Sequence, residues 1–129
     1  MQTNVSSQKG RHGFPTVALK LFLPDSSFSW WTGYVGLPPT HPLYGKDYMA
    51  EELAEIDCHG GLTYSGPALN IESIDTQFPT IWWFGFDCFH ADDNPRFGGT
   101  VKDLPFVEAE LENLARQFKE FTNATQDNR

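Results

Sequence analysis

Residues 104–121 read LPFVEAELENLARQFKEF, and this stretch decides the fold. Its apolar side chains fall at Val107, Leu111, Leu114, Phe118 and Phe121, in steps of four, three, four and three. That spacing makes one stripe along a helix. Asp103 stands where an N-cap is needed, and Pro105 suits the first turn. Acidic residues lie early (Glu108, Glu110, Glu112) and basic ones late (Arg116, Lys119), which complements the helix dipole. Such a helix must lay its stripe on something apolar, and the upstream sequence offers strands. Residues 14–23 (FPTVALKLFL), 28–37 (FSWWTGYVGL) and 80–88 (TIWWFGFDC) are β-branched or aromatic, and the last is the most strand-like. A β-prone LTY segment at 62–64 and a short strand at Leu69–Ile74 are further candidates. Residues 47–55 suit a short helix capped by Asp47, and 91–103 reads as a loop. Gly33 inside the second strand marks a bulge or a close backbone approach.

The expected architecture is α+β: an antiparallel sheet of about four to five strands, with the C-terminal amphipathic helix packed on one face. Residues 14–121 form a single domain. Residues 1–13 (MQTNVSSQKGRHG) read as a flexible arm and 122–129 (TNATQDNR) as a fraying tail.

At 129 residues, one domain fits and two do not. Aromatics reach 15%, with 11 Phe, 4 Trp and 4 Tyr, so the chain can bury a sizeable core without disulfides. Nine Lys+Arg against 17 Asp+Glu leave a net charge of −8. The cations are scattered singly, which excludes nonspecific duplex nucleic-acid binding and attraction to anionic membranes. A small anionic ligand needs only one or two cations and some backbone N–H groups, so it stays open. No apolar stretch approaches the roughly 20 residues of a bilayer crossing. With two cysteines, Cys58 and Cys88, and no basic–apolar–small N-terminal pattern, free thiols in the cytoplasm are expected.

Three polar groups carry candidate chemistry. In Thr40–Tyr48 (THPLYGKDY), His41, Tyr44, Lys46 and Tyr48 offer donors, a cation and stacking faces. In Asp57–Tyr64 (DCHGGLTY), His59 is followed by Gly60 and Gly61, whose backbone lets a ligand approach closely and offers N–H groups to an anion; Thr63 and Tyr64 add hydroxyls. In Trp82–Asp93 (WWFGFDCFHADD), two adjacent Trp place one ring on each face of a strand. One ring enters the core and Trp83 is a candidate pocket wall, while Asp87 or Asp93 can orient His90.

These pieces build three kinds of site. His59, Asp87 and His90 are metal-ligand types, but their spacing matches no compact metal pattern, so no cofactor is expected. His59 and His90 can flank a phosphate as general base and general acid. The same groups can instead hold a nucleotide without turnover, with Tyr44, Tyr64 or Trp83 stacking the base. Nucleophilic catalysis by either thiol is weaker, because neighbouring Cys58 and His59 point to opposite sides of an extended chain.

The motifs GYVGLPPTHPLYGKDY (33–48), HGGLTYSG (59–66) and WWFGFDCFHADD (82–93), with the terminal helix, resemble a widespread family of small phage- and prophage-encoded proteins. Two departures stand out: Asp92 replaces a glycine of the FDCxHAGD pattern, and Cys58 replaces an apolar residue. A phage-type origin implies counter-defence activity by analogy of context. The expectation is therefore a homo-oligomeric anti-defence protein that binds a small nucleotide immune signal, of the cyclic dinucleotide or cyclic ADP-ribose type. Paired His59 and His90, with Asp87 or Asp93, would cleave its phosphodiester. Lys46, Gly60, Gly61 and Thr63 would hold phosphate, and His41, Tyr44, Tyr48, Tyr64 and Trp83 would shape the base pocket. One alternative is a non-catalytic sponge for the same signal. Another is an acidic inhibitor of a host defence nuclease.

Overall fold

A computed structural model describes residues 2–22, 29–88 and 102–127. Five strands form one antiparallel sheet: β1 (Gln2–Arg11), β2 (Phe14–Phe22), β3 (Ser29–Leu37), β4 (Tyr64–Gly66) and β5 (Trp82–Asp87). Their order across the sheet is β1-β2-β3-β5-β4. Helix α1 spans Glu72–Gln77 and helix α2 spans Leu104–Asp127. The α+β reading, with a C-terminal helix packed against the sheet, is borne out.

The N-terminal arm is not an arm. Residues 2–11 are the edge strand β1, paired with β2 from Gln2↔Phe22 to Arg11↔Phe14. The two-residue turn His12-Gly13 has φ of 52° and 86°, the doubly positive geometry that matches the twist of a hairpin. Polar, unalternating sequence hid the strand because an edge strand needs little burial. Arg11 ties the hairpin to α2. Its guanidinium is buried and donates to Thr16 Oγ1, Glu108 and Glu112.

Side chains of β2, β3 and β5 alternate between the two faces. Phe14, Ala18, Val35, Leu37, Phe84 and Phe86 face α2 and meet its stripe of Val107, Leu111, Leu114 and Phe118, all buried. Asp103 caps α2 as expected, accepting from the Phe106 N–H at 3.1 Å. The helix continues through Asp127, so most of the expected tail is helical. Gly33 is a close approach and not a bulge. A Cβ there would stand 2.7 Å from the Phe86 ring. The one register shift among the described strands lies in β1, between Val5 and Ser7.

The opposite face is covered too, which the sequence pattern does not foretell. Val17, Leu19 and Trp83 pack with Ile74 of α1 and with Tyr34, Tyr64, Leu69, Phe78 and Ile81. The strand expected at Leu69–Ile74 gives way to this helix. The Asp75 carboxylate accepts from the N–H groups of Leu69 and Ile71, and that local bond fixes the chain into a helical entry. Likewise, the helix expected at 47–55 shrinks to one 3₁₀ turn, Glu51–Leu53.

Candidate functional site

The loop after β3 carries His41, and the fold gives that side chain a structural job. His41 is only 6% exposed and sits among the rings of Phe14, Phe118 and Phe121. Its Nδ1 accepts from the Leu43 N–H at 3.0 Å, so Nε2 must carry the ring proton. That Nε2–H donates to the Phe118 carbonyl at 2.9 Å. Burial pushes the imidazole below its usual range, against the smaller upward pull of the Phe118 carbonyl. His41 therefore fastens the loop to α2 as a neutral ring.

The rest of this first group is engaged locally. Tyr44 donates its hydroxyl to the Thr80 carbonyl at 2.7 Å and leans on Trp82. Lys46 pairs with Glu52 at 2.8 Å, and its carbonyl accepts from the Trp82 indole at 2.9 Å. Tyr48 packs at the edge of the α2-side core, with its N–H on Ser65 Oγ.

The second group forms a tight turn on the α2 side of the sheet. The Gly61 N–H donates to the Cys58 carbonyl at 2.9 Å. Gly60, the third residue of that turn, has φ of 69°, and Gly61 has φ of 80°; both are backbone states that favour glycine. The expected pair of free amides is thus halved. The Gly61 N–H closes the turn, the His59 N–H donates to Glu110 Oε1 at 3.2 Å, and the Gly60 N–H is left exposed. The half-buried His59 ring meets Phe106 edge-on, with centroids 5.1 Å apart. Lys102 Nζ stands over the other part of this row, 5.6 Å from the Phe106 centroid. Cys58 is buried beneath, and burial, with Glu110 and Asp57 nearby, pushes its thiol up to about 12. It is no nucleophile at neutral pH.

Thr63 is exposed, and its N–H extends the β4–β5 pairing by donating to the Gly85 carbonyl. Tyr64 lies on the α1 face, donating its hydroxyl to the Ala68 carbonyl and meeting Tyr34 edge-on. Trp83 is on that face as well. It is 0% exposed, packed against Phe78 and Ile74, and its indole nitrogen has no hydrogen-bond partner. It is core and not a pocket wall. Alternation along β5 puts Asp87 on this same face, opposite Thr32; burial raises the Tyr34 hydroxyl there, with the charges of Tyr64 and Asp87 adding smaller pushes. His90, Asp92 and Asp93 lie outside the described residues.

The predicted site therefore does not gather in one place among the described residues. The sheet separates Tyr64, Trp83 and Asp87 from His41 and His59. The two histidines touch α2 at Phe118 and Phe106, twelve residues apart, which is about 18 Å along a helix axis. Two open grooves of about 680 and 440 Å³ lie beside α1, the second bounded by Lys9, Pro15 and Phe78. Neither is lined by a predicted site residue. No three His, Cys, Asp or Glu among the described residues converge as a metal group would. No described helix is long and apolar enough to cross a membrane.

The residues missed from sequence are Lys102, Phe106 and Glu110. Lys102 and Phe106 stand four apart at a helix start, the spacing that lays a cation over a ring, and this was a readable signal. The Glu110 bond to His59 spans 51 residues and had none. No family model, curated protein or solved structure matches the chain.

Proposed function

We propose that this chain is a capture protein for a small nucleotide immune signal, of the cyclic dinucleotide or cyclic ADP-ribose class, and that it acts as a sponge. The supporting observation is the row Lys102–Phe106–His59 beside the exposed Gly60 amide. A cation, two rings and an exposed glycine stand together near one turn, and these are the group types that phosphate and base recognition use. Retention without cleavage is favoured because the other described histidines are engaged elsewhere. His41 is held by Leu43 and Phe118, and His12 pairs with Glu112 at 2.6 Å. Paired-histidine hydrolysis would need His90 as the second catalyst.

The test is recovery. The protein is incubated with a panel of cyclic dinucleotides and cyclic ADP-ribose isomers, then heat-denatured, and the supernatant is analysed for intact ligand. Uptake followed by full release supports the sponge. Uptake followed by a linearised product, lost in His90→Ala, supports hydrolysis instead. No uptake of any member removes both readings.

A further inference from the structure

The chain from Asp57 to His59 is not part of the sheet, yet its backbone is hydrogen-bonded to side chains of α2. Three α2 side chains hold it: Glu110, Asn113 and Gln117, spaced three and four residues apart on one stripe. Gln117 acts at both ends of its amide. Oε1 accepts from the Asp57 N–H at 2.8 Å, and Nε2 donates to the Asp57 carbonyl. One side-chain amide thus makes the two bonds that a neighbouring strand would make. Asn113 Nδ2 donates to the same carbonyl at 3.4 Å and to Glu110 Oε1 at 3.0 Å, while Glu110 accepts from the His59 N–H. Arg116 donates to Asn113 Oδ1 at 2.6 Å, which fixes which end of that amide faces the loop.

We infer that Glu110, Asn113 and Gln117 are positioning residues that set the shape of the His59–Gly60–Gly61 turn for its ligand. Two glycines in succession with positive φ are the least self-supporting backbone in this region. Without an external template the turn samples many shapes, and a ligand would bear the ordering entropy. The template acts on the backbone N-terminal to the glycines, and it leaves Gly60 exposed and the His59 ring half-buried at the rim. The ligand-binding half of this inference rests on the function proposed above, whereas the shape-setting half does not.

The experiment uses Gln117→Met, which fills the same volume but makes neither bond, and Gln117→Glu, which keeps only the acceptor. Amide hydrogen exchange and backbone resonances of Gly60 and Gly61 are followed, with inorganic phosphate titrated as the probe. In both variants exchange at Gly61, whose N–H closes the turn, is expected to speed up about tenfold and the Gly60 resonance to move, while core amides such as Val35 and Phe84 are unchanged. Unaltered exchange at Gly61 with an unmoved Gly60 resonance in both variants overturns the inference. The phosphate arm separates the two claims. A Gly60 shift in the parent protein that needs several times more phosphate in Gln117→Met supports both. No shift in the parent, with the turn still loosened in the variants, removes the anion site and leaves the template standing. A loosened turn with unchanged phosphate affinity overturns the positioning role.

Discussion

His41 and His59 make an instructive pair. Each lies in a loop rich in turn formers, and each docks on α2. His41 is succeeded by Pro42 and Leu43, and Leu43 carries the loop inward to a buried position. Its ring is bonded at both nitrogens to main chain and enclosed by three phenyl rings. His59 is succeeded by two glycines that carry no side chain into the core. Its backbone is held by Glu110, and its ring stays on the rim beside Phe106. The residue type is the same, but the next two positions decide whether the imidazole is drawn into the core or stays half-buried at its edge.

The largest expected effect breaks the fastener. His41→Ala leaves the Leu43 N–H without an acceptor and opens a void between Phe14, Phe118 and Phe121. The Phe118 carbonyl keeps Thr122 as a donor. A loss of about 3 kcal/mol is expected in urea unfolding, from one buried unpaired donor plus a cavity. A loss under about 1 kcal/mol would mean that the loop is not fastened there.

A smaller effect comes with pH. Burial lowers the His41 pKa in the folded protein, while the unfolded ring titrates near its ordinary value of about 6.5. Below that pH the unfolded chain takes up a proton that the folded chain refuses, so stability falls as pH drops from about 6.5. The slope between pH 6.5 and 5 is expected to flatten in His41→Gln. Glu112, whose pKa is lowered first by its bond to His12, adds a loss of the same sign, but only where carboxylates titrate. An equal slope in the parent protein and in His41→Gln would show that another group carries it.

The smallest expected effect completes the comparison. His59→Ala removes a half-buried ring and its edge contact with Phe106, and it keeps the backbone bond to Glu110. A half-buried ring leaves a smaller void than buried His41, so the loss in unfolding is expected to stay below that of His41→Ala. A cost equal to that of His41→Ala would make both rings structural and remove the distinction.

The sequence showed what local periodicity dictates. The α2 stripe with its Asp103 cap and the three aromatic strands were legible, because each is set by neighbours a few residues away; Gly33 was marked only as a bulge or a close approach, and Phe86, 53 positions on, decides which. β1 was not, since an edge strand of Gln, Asn, Ser and Thr gains its order from β2. The His12-Gly13 pair was its only local mark. α1 was hidden because one carboxylate, Asp75, overrides the β-prone look of Leu69–Ile74. The site was less legible than the fold. Alternation correctly put Trp82 and Trp83 on different faces, but not that α1 would close over Trp83. Nor can any pattern within nine residues tell that His41 meets a carbonyl 77 positions away.

The most direct measurement is an NMR comparison of the two imidazoles while cyclic di-GMP, as one member of the ligand class, is added to the parent protein. The account predicts that the His59 ring resonances shift with saturation and that those of His41 stay in place as a neutral Nε2–H tautomer. Movement of the His41 ring with a stationary His59 ring would contradict it.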